Sequence, residues 1–202
     1  MPKVSEEYLE ARRNEILAAA TKCFSRDGFH RTSMQAICRE AGLSPGAVYR
    51  YFQGKDEIIE AMTEEGRRRN EALIAAAMAR QDPEQTLEQL AEDFFAIFDA
   101  PDADTNIRVN IQLWAEALRN PRIMQLLQRR MSGVKGAFTE IIRQAQSTGS
   151  ISANLDAEAV ARVMIALFQG LMLQRGLDPD VDVHKYLQAM KAMDLSGQVS
   201  TA

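Results

Sequence analysis

The fold of this chain is decided by residues 44–55, which read SPGAVYRYFQGK. Ser44 is a residue type that commonly caps a helix. Pro45 suits the first helical position, because its fixed φ fits there and its missing N–H costs nothing. At 100° per residue, Val48 and Phe52 point to the same side of such a helix. The stretch therefore predicts a short helix with one buried face and one face that is open to a ligand.

The open face of this helix combines small, polar and aromatic side chains. These residues are Gly46, Ala47 and Arg50 on the outer face, with Tyr49 and Tyr51 on its two flanks. Small residues let a helix approach the bases in a DNA groove closely, and arginine is suited to reading base edges. The tyrosine hydroxyls and the ammonium group of Lys55 are suited to phosphate oxygens. The helix is therefore predicted to bind DNA.

The preceding residues predict two more short helices. Apolar residues recur at helical spacing from Ile16 to Phe24, and Gly28 is expected to end that helix. Residues 32–35, Thr-Ser-Met-Gln, fit a capping box, which would start a second helix. The buried positions expected in the second helix are Ala36, Ile37 and Ala41. The turn to the third helix is then only residues 42–44, which gives a compact helix-turn-helix.

The order of these features resembles the tetracycline-repressor (TetR) family. The resemblance is carried by Phe29 after the first helix, the Thr-Ser start of the second, and SPGAVYRYF at 44–52 followed by KDEI at 55–58. It implies a helix-turn-helix DNA-binding domain at residues 1–54, and a helical effector-binding and dimerisation domain at 55–202. The DNA contacts that it implies are Ser33, Ser44, Gly46, Ala47, Tyr49, Tyr51 and Lys55. The outward placement derived above adds Arg50 to this set.

The rest of the chain reads as helices, and nothing in it reads as a strand. A long fourth helix is predicted from Lys55 to about Arg80, and the residues Asp82-Pro83 are expected to cap a fifth. The last two helices are predicted from Asp156 to about Arg175 and from Val181 to Met193. The sequence thus predicts an all-α fold of about nine helices.

The eighth predicted helix is apolar almost all round between Ala159 and Leu173. A helix of this kind must be covered on two sides, and its own domain can supply only one. Gly170 would let a second helix approach closely. We therefore predict that helices eight and nine form half of a two-fold four-helix interface, as the resemblance also implies. The alternative is a central helix in a monomeric core. With fifteen residues and an internal Arg162, the stretch is expected to be too short and too polar to span a membrane.

The helical body is also where a small molecule is expected to bind. Aromatic and methionine side chains line adaptable apolar pockets, although any one of them at helical spacing is more often plain core than a ligand contact. The predicted pocket residues are Met62, Phe94, Phe98, Trp114, Met124, Leu127, Met131, Met164 and Phe168. Arg108, Asn110 and Gln112 either orient an effector or face water. The stretch from Leu113 to Pro121 is similar to that of the betaine-regulator-like branch of the family, which implies no particular ligand.

Composition and charge are compatible with this interpretation. The 202 residues are 46% apolar and 26% charged, as is ordinary for a soluble globular protein. The net charge of −4 is unevenly divided, because residues 1–55 hold nine Lys/Arg against six Asp/Glu and the remainder holds fifteen against twenty-two. The basic end therefore coincides with the predicted DNA-binding helix. No signal peptide or twenty-residue apolar run is present, so we expect a cytoplasmic location and no membrane partner.

Side chains that would indicate a cofactor or a metal are not grouped in the sequence. His30 and His184 have no metal-binding residues at ligand spacing, so neither a metal nor another cofactor is predicted. Cys23 and Cys38 could form a redox switch, but small buried core residues are the favoured interpretation.

Three classes of function are compatible with a small helical protein. The favoured one is a ligand-responsive transcriptional regulator, most simply a repressor, that binds a partly palindromic operator as a homodimer and is released by a small-molecule effector. The second is a helical adaptor that uses the helix-turn-helix for protein contact. The third is an enzyme with an unrecognised helical active site, which is disfavoured because the chain lacks a phosphate loop, a nucleophile elbow and spaced His and carboxylate groups.

Overall fold

The computed structural model of the chain describes residues 5–79 and 83–192. These residues form nine α-helices, one 3-10 turn at Ala96–Phe98 and no β-strand, which confirms the all-α prediction. The helices are α1 (Glu6–Asp27), α2 (Met34–Ala41), α3 (Pro45–Tyr49), α4 (Lys55–Met78), α5 (Pro83–Phe95), α6 (Ala103–Ala117), α7 (Pro121–Thr148), α8 (Ala157–Leu177) and α9 (Val183–Lys191). The predicted helix limits at Arg80, Asp82 and Met193 lie outside the described residues.

Local capping explains where several of these helices begin and end. The side-chain oxygens of Ser44, Asp156 and Asp182 each accept a hydrogen bond from a backbone N–H three residues later. Gly28 and Gly42 follow the last residues of α1 and α2 at φ values of 81° and 64°. Residues with side chains rarely adopt this left-handed conformation, so glycine is the residue that ends a helix in this way.

The predicted capping box at residues 32–35 is wrong in its register. Ser33, rather than Thr32, is the N-cap of α2, and its Oγ accepts from the Ala36 N–H at 3.1 Å. Ala36 therefore stands where a capping box needs Glu or Gln, and no reciprocal bond can form. Thr32 is instead 2% exposed, and its hydroxyl lies within hydrogen-bond distance of the carbonyls of Gly28 and Cys23. It stabilises the turn that connects α1 to α2.

The described residues form two compact units. The head unit consists of the described residues up to Gly66 together with Thr105–Leu127, so it contains α1–α3, most of α6 and the start of α7. The body unit consists of Arg67–Asp104 and the described residues from Gln128 onward. The predicted domain boundary after residue 54 stays a prediction.

The core of the head unit contains buried apolar residues from α1, α2 and α3. Ile16, Phe24 and Ile37 are 0% exposed, and Val48 and Phe52 are also buried, as the helical spacing predicts. In α2 the prediction is only partly right, because Ala36 and Ala41 are half-buried and Cys38 is buried in their neighbourhood. Both cysteines are free and buried, and burial raises the pKa of the Cys23 thiol, which disfavours a reactive thiolate there.

The body unit has its own apolar core, drawn from α4, α5, α7 and α8. Twelve buried residues form this cluster, among them Ala77, Leu90, Ile142 and Ala161, each 0% exposed. α9 joins the unit through Tyr186, whose hydroxyl donates to the Leu167 carbonyl of α8 at 2.9 Å. Burial raises the pKa of this hydroxyl, so it remains protonated and keeps the donated bond.

α8 is longer than the apolar stretch that the sequence indicates. Its 21 residues, with a mean hydropathy of 1.3 in the most apolar window, are long and apolar enough to cross a membrane by length and composition alone. The expectation that this helix is too short is therefore wrong, because Ala157, Gln174, Arg175 and their neighbours extend the helix at both ends. Length and composition are weak evidence for a span, since a helix that packs in a soluble protein can meet the same criteria.

Candidate DNA-binding surface and effector region

α3 presents the surface that the sequence predicts for DNA. Val48 and Phe52 hold its inner side in the core, and the Arg13 guanidinium lies 5.4 Å from the centre of the Phe52 ring. Tyr49 is 43% exposed and Arg50 is exposed next to it. α3 itself ends at Tyr49, three residues before Phe52, and the Gln53 side-chain amide donates to the Tyr49 carbonyl at 2.8 Å.

The small residues of the surface leave space in front of α3. Gly46 is exposed, and a Cβ atom added to it would meet no atom of the chain within 4 Å. Ala47 is half-buried, as is Tyr51 on the flank. The protein itself therefore does not require glycine at position 46. Close approach of another molecule is a physical reason for having one there.

The two serines of the predicted set both serve as helix caps. Ser33 and Ser44 are exposed, and their Oγ atoms accept from backbone N–H groups at 3.1 and 3.3 Å. Capping uses a lone pair of the hydroxyl oxygen and leaves the O–H proton available as a donor. Both residues can therefore cap a helix and donate to a phosphate.

Lys55 has partners that the sequence did not indicate. Its Nζ atom donates to the backbone carbonyls of Phe29 and His30, at 2.7 and 3.3 Å. An ammonium group carries three donors, so one remains for a phosphate. Lys55 thus fixes the turn after α1. Its phosphate contact, like the other predicted DNA contacts, stays a prediction.

Gln112 of α6 reaches the same turn. Its Oε1 atom accepts from the Phe29 N–H at 3.2 Å, and its Nε2 atom donates to the Phe24 carbonyl at 3.1 Å. The sequence left two interpretations of Gln112 open, an effector contact or exposure to water. The structure shows neither, because both polar atoms of the amide bind backbone groups. Sequence reasoning could not find the contact, since the partners lie 83 and 88 residues away along the chain. Asn110 donates to a carbonyl of its own helix, and Arg108 is exposed.

The nine predicted effector residues divide between the two units. Those of the head unit are Met62, Trp114, Met124 and Leu127, and those of the body unit are Phe94, Phe98, Met131, Met164 and Phe168. Within the body unit the Phe168 ring lies 5.8 Å from Phe94 and 5.6 Å from Phe98, centre to centre. Phe95 also contacts Phe168, and its ring centre lies 6.4 Å from that of Tyr186, which extends the aromatic group beyond the prediction. The effector pocket itself stays a prediction.

Comparison with known proteins decides which class of helical protein this is. Residues 16–62 match the family model of bacterial regulatory proteins of the tetR family. Residues 83–193, more than half of the chain, match that of the C-terminal part of BetI-type transcriptional repressors. The chain belongs to the TetR family. The predicted resemblance is thereby confirmed, including its betaine-regulator-like branch.

Individual relatives match this TetR-family chain over nearly their whole length. The HTH-type transcriptional regulator UidR of Escherichia coli (strain K12) is 26% identical over 183 residues, which are 90% of each chain. The solved structure of Salmonella enterica GusR matches with a TM-score of 0.73 and 27% identity, over 93% of this chain and 96% of that one.

A third neighbour, from Saccharomonospora viridis, shares the fold. This putative transcriptional regulator was solved in complex with choline, and it has a TM-score of 0.77 at 23% identity, over 90% and 94% of the two chains. The matched families and the curated relative are transcriptional regulators and not enzymes, which confirms the prediction of a transcriptional regulator. The partly palindromic operator and the homodimer stay predictions.

Proposed function

We propose that this TetR-family chain is an effector-responsive repressor that binds a partly palindromic operator as a homodimer. The observation that carries the proposal is the build of α3. Buried Val48 and Phe52 fix the helix, while Gly46, Tyr49 and Arg50 are presented outward. A fixed helix with a small, cationic outer face is suited to the major groove, where base edges are distinguishable.

The exposed face of α8 supports the homodimer. Val163, Leu173 and Leu177 are 58%, 45% and 78% exposed, and at 100° per residue they lie within one narrow stripe. Between them the stripe carries only small residues, Ala166 and Gly170. We name these five residues the α8 stripe. Aliphatic surface of this extent indicates a partner, and small residues allow close approach of a second helix. A second copy would bring two α3 helices to successive half-sites, about 34–36 Å apart.

The aromatic group of the body unit supports an effector that is apolar or cationic. Phe94, Phe95, Phe98, Phe168 and Tyr186 contribute rings to it. Aromatic faces attract quaternary ammonium groups, and choline, the ligand of one structural neighbour, carries such a group. We place the protein in the cytoplasm, where its operator would be.

α4 supplies a path by which an effector could act on the operator. The helix is continuous from Lys55 to Met78, and the boundary between the head and body units falls within it, after Gly66. A ligand that displaces α4 would alter the spacing of the two α3 helices. By linkage, the effect of ligand on operator affinity must equal the effect of operator on ligand affinity.

Selection of duplexes from a random-sequence pool tests the proposed DNA binding. We expect the full chain to enrich a partly palindromic sequence, and to bind the selected duplex more weakly as the salt concentration rises. An adaptor that uses its helix-turn-helix for protein contact would enrich no sequence. That outcome would overturn the proposed function.

Trp114 fluorescence tests the effector response. It is the single tryptophan of the chain, so an emission change reports on one half-buried site. Choline is the cationic probe and decanol the apolar one. Emission and affinity for the selected duplex should change together. A probe that binds and changes the emission without altering operator affinity would exclude the coupling through α4 for that probe.

A further inference from the structure

The amide of Gln112 satisfies two backbone groups at the end of α1. Its oxygen takes the Phe29 N–H at 3.2 Å, and its nitrogen donates to the Phe24 carbonyl at 3.1 Å. The Phe29 N–H belongs to the turn after α1, where helical partners run out. Phe24 lies in the last turn of α1, and its carbonyl also accepts from the Gly28 N–H at 2.9 Å. A carboxamide provides a donor and an acceptor on one rigid group, which makes Gln suited to this pair of bonds. We name this pair of bonds the Gln112 bridge.

The residues that the Gln112 bridge holds belong to the core of the head unit. Phe24 is 0% and Phe29 6% exposed, and their rings pack edge to face with centres 4.7 Å apart. The bridge therefore fixes backbone on both sides of a packed aromatic pair. A shift of the turn would move one ring against the other, and close-packed interiors resist such shifts.

Two further side chains hold the same turn. His30 Nε2 lies 3.1 Å from Glu116 Oε2, and Glu116 follows Gln112 by four residues, on the same face of α6. Lys55, the first residue of α4, donates to the carbonyls of Phe29 and His30. All these groups lie within the head unit. The turn between α1 and α2 is thus held by α6 through Gln112 and Glu116, and by α4 through Lys55.

We propose that Gln112 is a positioning residue for DNA recognition, which sets the orientation of the helix-turn-helix relative to α6. With the bridge intact, α1–α3 and α6 move as one body, so that each α3 is held at a fixed angle to its own α6. Without it, α1–α3 pivot about the start of α4. The operator must then orient the helices at binding, and discrimination between half-site spacings falls. This inference rests on the proposed function, because it needs two α3 helices on one operator.

The test compares Gln112→Met with Asn110→Leu in the full-length protein. Methionine keeps the length of the side chain and removes both bonds. Asn110 is the matched control, since it lies on α6 and its amide donates to the Asn106 carbonyl of the same helix. Affinity is measured for the duplex that the wild-type protein selects, and for the same duplex with one base pair inserted at its centre. Hydrogen exchange of the Phe29 amide is measured in parallel.

We expect Gln112→Met to reduce the ratio of the two affinities about fivefold, and to speed Phe29 exchange by a similar factor, the size of one average hydrogen bond. Asn110→Leu should change neither. If Gln112→Met binds both duplexes more weakly but leaves the ratio of the two affinities unchanged, the variant is merely less stable and the proposal is overturned. The proposal is also overturned if the affinity ratio and the Phe29 exchange rate both equal those of the wild-type protein. If Gln112→Met does not fold, Gln112→Glu replaces it. Glutamate keeps the acceptor for the Phe29 N–H but turns a carboxylate oxygen toward the Phe24 carbonyl, and the same reduced ratio is expected. Absence of any sequence preference in the wild-type protein would instead contradict the proposed function.

Discussion

α3 in the head unit and α8 in the body unit differ in the side chains that they leave exposed. Around α3 the exposed groups carry polar atoms, as in Tyr49 and Arg50, and their apolar neighbours Val48 and Phe52 are buried. On α8 the exposed side chains of Val163 and Leu177 are purely aliphatic. Exposed polar groups are hydrated and cost little free energy while no ligand is bound. Exposed aliphatic side chains gain free energy when another surface removes them from water. The difference is what the proposed function requires, namely that α3 binds DNA reversibly and that α8 is covered by a lasting second copy.

The largest expected effect comes from placing a charge in the α8 stripe. We expect Val163→Asp to weaken dimerisation by about 100-fold or more, because an unpaired carboxylate would be buried in both copies at the interface. Analytical ultracentrifugation measures the assembly, and operator affinity should fall with it. Leu118→Asp is the control, since Leu118 is 80% exposed but lies outside the stripe, in the head unit. A Val163→Asp protein that dimerises like the wild type would remove the proposed role of α8.

Changes on the outer face of α3 should alter sequence preference rather than affinity alone. Replacing Arg50 by Ala, or Ala47 by Ser, should change the cost of a wrong base by about 1–3 kcal/mol at one position of each half-site. Repeating the selection with each variant measures this effect. Equal weakening on all sequences, with the selected motif unchanged, would place both residues away from the bases.

Gly46→Ala should affect folding stability and operator affinity in opposite directions. The added methyl group meets nothing within 4 Å, and alanine favours a helix over glycine by about 0.5–1 kcal/mol, so thermal stability should stay or rise. Operator affinity should nevertheless fall about tenfold, because the methyl group occupies space that the DNA backbone or bases would use. Gly133→Ala is the matched control on α7, where a Cβ is equally unobstructed. Should Gly46→Ala bind the operator as tightly as the wild type, close approach at this position would be excluded.

The smallest effects are expected at the phosphate-directed groups. Lys55→Ala and Tyr49→Phe should weaken binding to all sequences alike. Lys55→Ala should also lower the slope of log affinity against log salt by about one unit if a phosphate contact is lost, whereas loss of the neutral Tyr49 hydroxyl should leave the slope unchanged. For Lys55 the slope decides between two roles. If affinity falls and the slope stays constant, the residue acts only by holding the carbonyls of Phe29 and His30.

Much of the fold was predictable because its signals are local. A cap such as Ser44, or a glycine such as Gly42, acts on backbone groups within four residues, so their order along the chain is enough to locate helix ends. The inward direction of Val48 and Phe52 follows from helical spacing in the same way. Errors arose where two residues could serve the same local purpose, as when Ser33 rather than Thr32 capped α2.

By itself, the sequence determined the all-α class, the helix-turn-helix and the outward face of α3, since each depends on neighbours along the chain. Only the tertiary structure decided that Gln112 holds the turn after α1, that Lys55 bonds the carbonyls of that turn, and that the aliphatic side of α8 remains exposed. The physical reason is one of distance along the chain. Packing between segments far apart in sequence determines which group a long polar side chain binds. It also determines what covers a helix that is apolar all round. Residue spacing within one segment does not predict either contact.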